Sequence, residues 1–270
     1  MKPSGIITLT SDFGLTDPYV GIMKGVILSI HASAKLIDLT HCVKAGSVVQ
    51  ASALIQEVFP HFPKGTIHVG VVDPGVGSER RPILVETTDH FFVGPDNGLF
   101  WPIINAARTT KIIHLLERKF FLNEVSHTFH GRDIFAPVAA HLCRGEDSRM
   151  MGPVVSDPVR LDLPKPREKG GFLWGQVLRV DHFGNLITNI KGKEMDRYLE
   201  SAQPIIEVGN LVVVGVHETY SEAQAGEALA LIGSSDCLEI AVNLGRACER
   251  VGSGSGDVVG VSVAVKKRKG

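Results

Sequence analysis

Residues 66–77 read TIHVGVVDPGVG, and this stretch decides the fold class. Its first seven residues are mainly apolar and β-branched, which is typical of a buried strand, and the Asp-Pro-Gly that follows ends the strand. Two other segments repeat an apolar run that leads into an aspartate: residues 5–14 read GIITLTSDFG and residues 91–98 read FFVGPDNG. If the three strands share one parallel sheet, their aspartates lie along its carboxyl edge, where open α/β sheets bind ligands.

Helix-length segments separate these strands. Apolar residues recur about every 3.6 positions in 19–31 and in 48–58, which predicts two helices. Residues 135–143 predict a third, with Pro137 in the first turn, where proline is tolerated. This alternation predicts a three-layer α/β domain with a mostly parallel sheet over residues 1–156.

The composition and the pattern of apolar residues change after that domain. Residues 157–171 read DPVRLDLPKPREKGG, which has the proline, glycine and charge content of a linker. Residues 172–270 contain short apolar runs separated by turn signals and few helical stretches. We expect a smaller all-β barrel or sandwich domain there.

Charge and hydropathy exclude several classes of protein. The formal net charge of −1 gives no basic field to attract nucleic acid or an anionic membrane. No apolar run approaches the roughly 20 residues that span a bilayer, and the first residues lack the apolar stretch of a secretory signal. The four cysteines are scattered without metal-binding spacing. We therefore expect a cytoplasmic protein that binds neither nucleic acid nor membrane.

The turn after the strand of residues 66–72 pairs an acid with arginines. Residues 73–81 read DPGVGSERR, so Asp73 leaves the strand and Arg80 or Arg81 can fold back to it. An arginine beside an aspartate keeps the acid ionised and fixes its direction. Taken alone, the segment slightly favours the other interpretation, a plain Asp-Pro-Gly turn with two surface arginines.

A histidine stands at a second unusual segment. Residues 128–133 read TFHGRD, where His130 and Arg132 flank a glycine just before a helix predicted near Ile134. We expect Asp133 to cap that helix. A lone histidine is usually structural, but a histidine at a helix start near a sheet edge is well placed for an anionic or polar ligand.

The second domain supplies aromatic and amide groups. Residues 181–189 read DHFGNLITN, in which an aromatic face can stack on a base and Asp or Asn can bond its polar groups. An Asn-bearing hairpin turn would give the same residues. Residues 233–243 read GSSDCLEIAVN, where Glu239 is a carboxylate inside an apolar strand and must face solvent or a partner.

Together these groups predict a two-part pocket for a nucleoside-like ligand. The residues alone leave the reaction open, since a metallohydrolase would fit nearly as well. Its ligands would be Asp12, Asp73, Asp96 and His130.

Six segments in order along the chain resemble the S-adenosyl-L-methionine (SAM) hydrolase family. That family is also called SAM hydroxide adenosyltransferase and is related to the fluorinases and chlorinases. The segments are TSDFG at 10–14, VVDPGVG at 71–77, PDNG at 95–98, FHGRD at 129–133, FGN at 183–185 and LEIAVN at 238–243.

The resemblance implies hydrolysis of SAM to adenosine and L-methionine, without a metal or other cofactor. The family's catalytic set falls on Asp73, Arg80 and His130, and the family register is what favours Arg80 over Arg81. Its substrate contacts fall on Asp12, Asp73, Asn185, Ser234, Glu239 and Val242, with Asp181 and Phe183 close by. One departure is the turn at 233–236, which reads GSSD where the family more often has Asn-Ser-x-Gly.

The resemblance also implies a homotrimer with sites between subunits, which would give Glu239 its partner. Two alternatives stay open, a SAM-dependent halogenase and a non-catalytic adenosine or SAM sensor. The halogenases carry tyrosine at the position of Asp73, threonine at that of Val76 and an inserted loop, whereas residues 78–94 connect the two turns directly here. Hydrolysis is therefore the favoured activity.

Overall fold

The computed structural model of the chain describes residues 1–108, 110–252 and 258–268. It divides into two compact units, Met1–Asp162 and Leu163–Gly270, which we call unit 1 and unit 2. The division falls inside the segment 157–171 that has the composition of a linker. Part of that segment, Arg167–Lys169, forms a strand that pairs with the next one.

Unit 1 is built on a seven-stranded sheet in the order β2-β1-β3-β5-β4-β6-β7. Strands β2, β1, β3 and β5 run parallel, and the three remaining pairings are antiparallel. The strands are β1 (Ile6–Ser11), β2 (Lys35–Thr40), β3 (Ile67–Val71), β4 (Pro82–Thr87), β5 (Phe91–Pro95), β6 (Thr110–His114) and β7 (Val154–Val155).

Helices cover both faces of this sheet. They are α1 (Tyr19–Ile30), α2 (Val48–Val58), α3 (Trp101–Ala106) and α4 (Ala136–Arg144). Apolar residues of α1 and α4 share one buried cluster with β1 and β3, while those of α2 and α3 share another with β4. Two separate cores on one sheet make three layers, so the predicted α/β architecture is confirmed.

The aspartates at the strand ends share one edge of the sheet. Strand β3 lies between β1 and β5, and all three are parallel. Asp12, Asp73 and Asp96 follow these strands directly, or after one further residue, and therefore come out at the same carboxyl edge. The carboxyl edge of a parallel sheet is where backbone and side chains are accessible to a ligand.

The predicted role of Asp133 as a helix cap is wrong. The backbone already turns helically at Gly131, in a π-helical turn Gly131–Phe135 that continues into α4. Asp133 therefore lies inside the helical segment, and its fully buried carboxylate accepts from the Ser126 amide at 2.8 Å and from Arg132 Nε at 2.5 Å. It ties the loop before the helix to the helix itself.

Unit 2 is an antiparallel sheet that nearly closes on itself, as expected for a small all-β domain. Its main path is β12-β11-β15-β9-β10-β14-β13, with β8 on β9, and a bridge between His217 and Leu231 joins the region after β12 to β13. The elements are β8 (Arg167–Lys169), β9 (Phe172–Val180), β10 (Leu186–Lys191), α5 (Gly192–Leu199), β11 (Pro204–Val208), β12 (Leu211–Val214), β13 (Ala228–Ile232), β14 (Cys237–Val242) and β15 (Ser262–Lys267).

Strand β14 separates two environments inside unit 2. Leu238, Ile240 and Val242 alternate into the main core. Glu239 and Ala241 point to the other side, where Ala241 joins a small apolar cluster beneath the loop that precedes β13. The side chain of Glu239 is thus kept out of the core by strand alternation.

No helix in the described ranges is both long and apolar enough to cross a membrane.

Candidate active site

A cavity of about 400 Å³ opens at the carboxyl edge of β1 and β3 in unit 1. Both of its acidic residues, Asp12 and Asp73, come from the strand ends, and His130 comes from the loop before α4. Its remaining walls are aromatic, apolar or glycine, apart from one threonine. They are Phe13, Tyr19, Gly46, Val71, Pro74, Val76, Thr128, Phe129 and Gly131.

Asp73, Arg80 and His130 form one hydrogen-bonded group at this cavity. Arg80 Nε donates to Asp73 Oδ1 at 2.9 Å, and Arg80 Nη2 donates to Asp73 Oδ2. The same Nη2 lies 2.7 Å from His130 Nδ1. The side chains of the ion pair are only 5% and 8% exposed, so solvent screens it weakly.

This geometry fixes the tautomer of His130. A guanidinium has donors and no acceptor, so Nδ1 must accept from Arg80. Burial, followed by the positive charge of Arg80, lowers the pKa of His130 below its ordinary 6.5. The imidazole is therefore neutral at neutral pH and carries its proton on Nε2, where it can donate a hydrogen bond but cannot accept one.

Asp12 lies in the same cavity but does not contact that group. Its Oδ2 accepts from the Gly46 amide at 2.8 Å, which anchors the loop between β2 and α2. Beside it, Phe13, Tyr19 and Phe129 contact one another with ring centroids 5.3 to 5.8 Å apart. The cavity thus has a polar wall and an aromatic wall, an arrangement that suits an amphipathic planar ligand.

Asp96 is not part of this site. Its Oδ2 accepts from Arg81 Nε at 2.9 Å and its Oδ1 from the Val159 amide at 2.9 Å, while Arg81 also bonds Asp157. The four-residue metal set considered from the sequence is therefore not assembled. Within residues 1–108, 110–252 and 258–268, no group of three or more His, Cys, Asp or Glu side chains is arranged to hold a metal ion.

In unit 2, Glu239 has a partner in its own chain. The Tyr220 hydroxyl donates to Glu239 Oε2 at 2.9 Å, and the carboxylate-bearing residue is only 7% exposed. Burial, the bond to Glu239 and the charge of Asp181 raise the pKa of Tyr220 to about 12. Glu239 thus has a partner within its own chain, so its burial does not by itself require a neighbouring subunit.

Asp181 and Asn185 close a turn at the start of β10. Asp181 Oδ1 accepts from the Asn185 amide at 2.8 Å, and Asp181 Oδ2 accepts from Asn185 Nδ2 at 2.9 Å. Phe183 stands at the tip of that turn and is 71% exposed. An exposed ring on a fixed turn is available to stack on a planar ligand.

The two remaining predicted contacts differ in what they present. Ser234 lies in the turn between β13 and β14, directly after Gly233 and before Glu239 in the sequence. Val242 points into the core of unit 2 and is 4% exposed, and its carbonyl accepts from the Gly245 amide at 3.0 Å. Its side chain cannot face the same side as Glu239, so only its backbone remains for a ligand.

The residue-by-residue interpretation of the sequence missed Tyr220 and the aromatic wall. Tyr220 lies in a loop outside every quoted motif, and nothing in its neighbours indicates that it reaches Glu239. Phe13 and Phe129 lie inside the quoted segments TSDFG and FHGRD. The 3.6-residue spacing placed Tyr19 at the start of α1 but did not show that its ring meets them.

The family models match both units. A model described as the SAM hydroxide adenosyltransferase N-terminal domain matches residues 7–152, and one described as the C-terminal domain of the same family matches residues 175–260.

Individual relatives agree with that match. A Salinispora tropica protein named (R)-S-adenosyl-L-methionine hydrolase is 38% identical over 260 residues, covering 95% of this chain and 97% of the relative. The solved structure of an uncharacterized conserved protein from Thermotoga maritima matches with a TM-score of 0.88 and 35% identity, covering 97% of this chain and 100% of that one. A fluorinase from an Actinoplanes species is more distant, at 26% identity over 88% of this chain and 91% of the relative.

Proposed function

The chain belongs to the SAM hydroxide adenosyltransferase family, and from that premise we propose that it hydrolyses SAM to adenosine and L-methionine. The observation that carries this proposal is the bonded group of Asp73, Arg80 and His130 at the wall of a cavity large enough for a small molecule. SAM is the substrate, and the reaction as proposed uses no resident cofactor.

The bonds that form and break in SAM hydrolysis determine which chemical groups the protein must supply. The oxygen of water forms a bond to the ribose C5′ while the bond from C5′ to sulfur breaks. The electron pair of that bond moves to sulfur, so the sulfonium leaves as the neutral thioether of methionine. One proton is lost from the water. The leaving group needs no acid, whereas water is a poor nucleophile until its proton is accepted and its oxygen is aligned.

Asp73 is the acceptor for that proton in our proposal. Each of its oxygens has a lone pair beyond the one that Arg80 uses, and the residue lines the cavity. Arg80 holds the carboxylate in a two-point contact and thereby fixes its direction. The buried Arg80 Nη1 finds no acceptor in the described parts of the chain and remains as a donor for the oxygen of water or substrate.

His130 positions the oxygen and does not act as the base. Its Nδ1 is occupied by Arg80 and its Nε2 already carries a proton. It can therefore donate to the attacking oxygen or to the ribose, although the Ser126 backbone shares this donor, and it cannot take up the proton of water. Of Asp73 and His130, only Asp73 can therefore accept the proton of water.

Water is preferred over halide because of its protons. Arg80 compensates the charge of Asp73, so repulsion by the carboxylate does not by itself exclude a halide. A carboxylate with free lone pairs can bind and orient water, which has protons to donate, and offers nothing to a halide. Incubation in chloride tests this point, since 5′-chloro-5′-deoxyadenosine would indicate the halogenase alternative.

The direct test is incubation of the purified chain with SAM and separation of the products. Adenosine and methionine should appear in equal amounts, and the variant Asp73→Asn should form neither at a comparable rate. Tight binding of SAM without release of methionine by the wild-type chain would instead support the sensor alternative. Unchanged turnover in Asp73→Asn would remove Asp73 from the mechanism.

The nucleoside is held, in our proposal, by both units. Asp12 would bind the ribose hydroxyls, and Asn185, Ser234, Glu239 and the backbone of Val242 would bind the adenosine, with Asp181 fixing Asn185 and Phe183 stacking. The support is the resemblance to the family, together with the fixed turn of Asp181 and Asn185 and the exposed ring of Phe183.

We further propose a cytoplasmic homotrimer in which unit 1 of one subunit and unit 2 of the next complete each site. Mixing two variants that are impaired for different reasons, one in chemistry and one in binding, tests the shared site when SAM is held well below the KM of the binding variant. Asp73→Asn and Glu239→Ala, unfolded and refolded together, should regain activity, because some sites then combine two intact units. Activity that stays absent in refolded mixed oligomers would show that each chain builds its own site.

A further inference from the structure

Tyr220 lies outside every motif of the chain, yet it makes a specific contact with a residue of the proposed adenosine site. Its hydroxyl donates to Glu239 Oε2 at 2.9 Å from a short 3₁₀ turn, Tyr220–Glu222. Its pKa of about 12 means that the hydroxyl keeps its proton across the whole physiological range. The tyrosine is therefore a permanent donor to this carboxylate.

The loop that carries Tyr220 is fixed on the sheet. Ala223 is buried against Leu229, Leu231 and Ala241, and its carbonyl accepts from Asn243 Nδ2 at 2.8 Å. The backbone before the tyrosine is also bonded, since the His217 amide donates to the Ala230 carbonyl at 2.8 Å. A side chain on such a loop has a defined position from which to hold a neighbour.

The other side of the Glu239 carboxylate is confined by Gly233. A Cβ atom at this glycine would lie 1.8 Å from Glu239 Oε1 and 2.3 Å from the carboxyl carbon. The carboxylate therefore packs directly against the backbone of the turn that contains Ser234. One oxygen accepts from the tyrosine and the other packs beside the glycine, so both contacts restrict the positions open to the carboxylate.

We propose that Tyr220 is a positioning residue for nucleoside binding and that it acts through Glu239. This inference rests on the proposed function for the role of Glu239 as an adenosine contact. A carboxylate that is already held in its binding position loses less side-chain freedom when the ligand arrives, so the bond to Tyr220 should appear as affinity and not as chemistry. Without it, the carboxylate loses one of the contacts that hold it in place, and the ligand must supply part of its ordering.

The test is Tyr220→Phe, which removes only the hydroxyl. The dissociation constant of adenosine and the KM for SAM should each rise about tenfold, as for loss of a hydrogen bond to a charged group, while kcat stays within about twofold. Tyr198→Phe is the matched control, because its hydroxyl bonds the Gly171 carbonyl at 2.6 Å elsewhere in unit 2. It should lower the melting temperature without changing the KM.

A double-mutant cycle separates positioning from general stability. In a Glu239→Ala background, Tyr220→Phe should have no further effect on adenosine affinity, because the residue through which it acts is gone. Additive losses, or an unchanged adenosine affinity in Tyr220→Phe alone, would overturn the inference. Adenosine affinity is measured without turnover, so a chain that binds adenosine in a Tyr220-dependent way but fails to hydrolyse SAM would contradict the proposed function and leave this inference intact.

Discussion

Two neighbouring strand ends in unit 1 each carry an aspartate–arginine ion pair, and the two pairs have different roles. After β3, Asp73 bonds Arg80, and after β5, Asp96 bonds Arg81. Both carboxylates are almost fully buried, and the two arginines are adjacent in the chain. The difference lies in the third partner: Arg80 bonds His130 at the cavity, whereas Arg81 bonds Asp157 at the surface.

This difference shows that an aspartate at a strand end is not enough to define a site. The second carboxylate oxygen of Asp96 accepts a hydrogen bond from the Val159 amide, which holds residues 157–159 against the sheet. Asp73 lines the cavity, and within the described residues its oxygens accept hydrogen bonds from Arg80 alone. We infer that the Asp96–Arg81 pair holds the fold together and that the Asp73–Arg80 pair serves chemistry.

The largest expected effect separates the two aspartates. Asp73→Asn keeps the shape but removes the proton acceptor, so kcat should fall about a thousandfold with little change in melting temperature. Asp96→Asn should keep kcat within about threefold and lower the melting temperature by several degrees, since it weakens a buried bond to Arg81. Steady-state kinetics and thermal unfolding of both variants measure this. A similar loss of kcat in both would end the distinction.

The next expected effect separates the two arginines. Lysine cannot reproduce the two-point contact of a guanidinium, so Arg80→Lys should lower kcat about a hundredfold. Arg81→Lys makes the same chemical change next door and should alter kcat less than about threefold. If Arg81→Lys proves the more damaging for turnover, the assignment of the catalytic arginine is reversed.

The pH profile extends the comparison to a histidine near each pair. In our proposal activity requires neutral His130, whose pKa is lowered by burial and then by Arg80, so kcat/KM should be flat above pH 7 and fall only below 6.5. His130→Gln keeps a donor near the Nε2 position and should abolish this acid limb while retaining more activity than His130→Ala.

His114 is the control for that profile. Its pKa is also lowered, by burial and then by Arg81, but it lies on β6 beside the structural pair. His114→Gln should therefore leave the acid limb in place. If His114→Gln loses the acid limb, the limb reports the titration of His114, and its assignment to His130 is wrong.

The smallest expected effect concerns unit 2 and changes only the binding of SAM. Gly233→Ala would push the Glu239 carboxylate from its position, so KM for SAM should rise about tenfold with kcat nearly constant. Gly25→Ala on helix α1 is the control, because a Cβ there meets nothing within 4 Å. A fall in kcat without a change in KM would place Gly233 and Glu239 in the chemistry instead.

Much of unit 1 could be predicted because its signals are local. The apolar runs and their Gly, Pro and Asp punctuation located β1, β3 and β5, and helix periodicity gave α2 at its observed bounds. The sequence could not say which aspartate faces a ligand. That depends on where Arg80 and Arg81 point, and consecutive side chains leave the backbone in different directions.

Unit 2 was harder because its contacts are distant in the chain. Strand β10 was not expected, since Thr188 and Asn189 interrupt its apolar run. Tyr220 and Glu239 meet across 19 residues through a loop without a motif. The orientation of Val242 could have been predicted, because it follows Glu239 by three positions and so points to the opposite face of the strand.

The central claim is that an oxygen held at Asp73, Arg80 and His130 attacks C5′ of the ribose. Turnover of SAM in water enriched in ¹⁸O, followed by mass analysis of both products, tests it most directly. We predict one ¹⁸O atom at the 5′-hydroxyl of adenosine and none in methionine, with the label lost together with turnover in Asp73→Asn. Adenosine that forms without the label, or label found in methionine, would contradict the account.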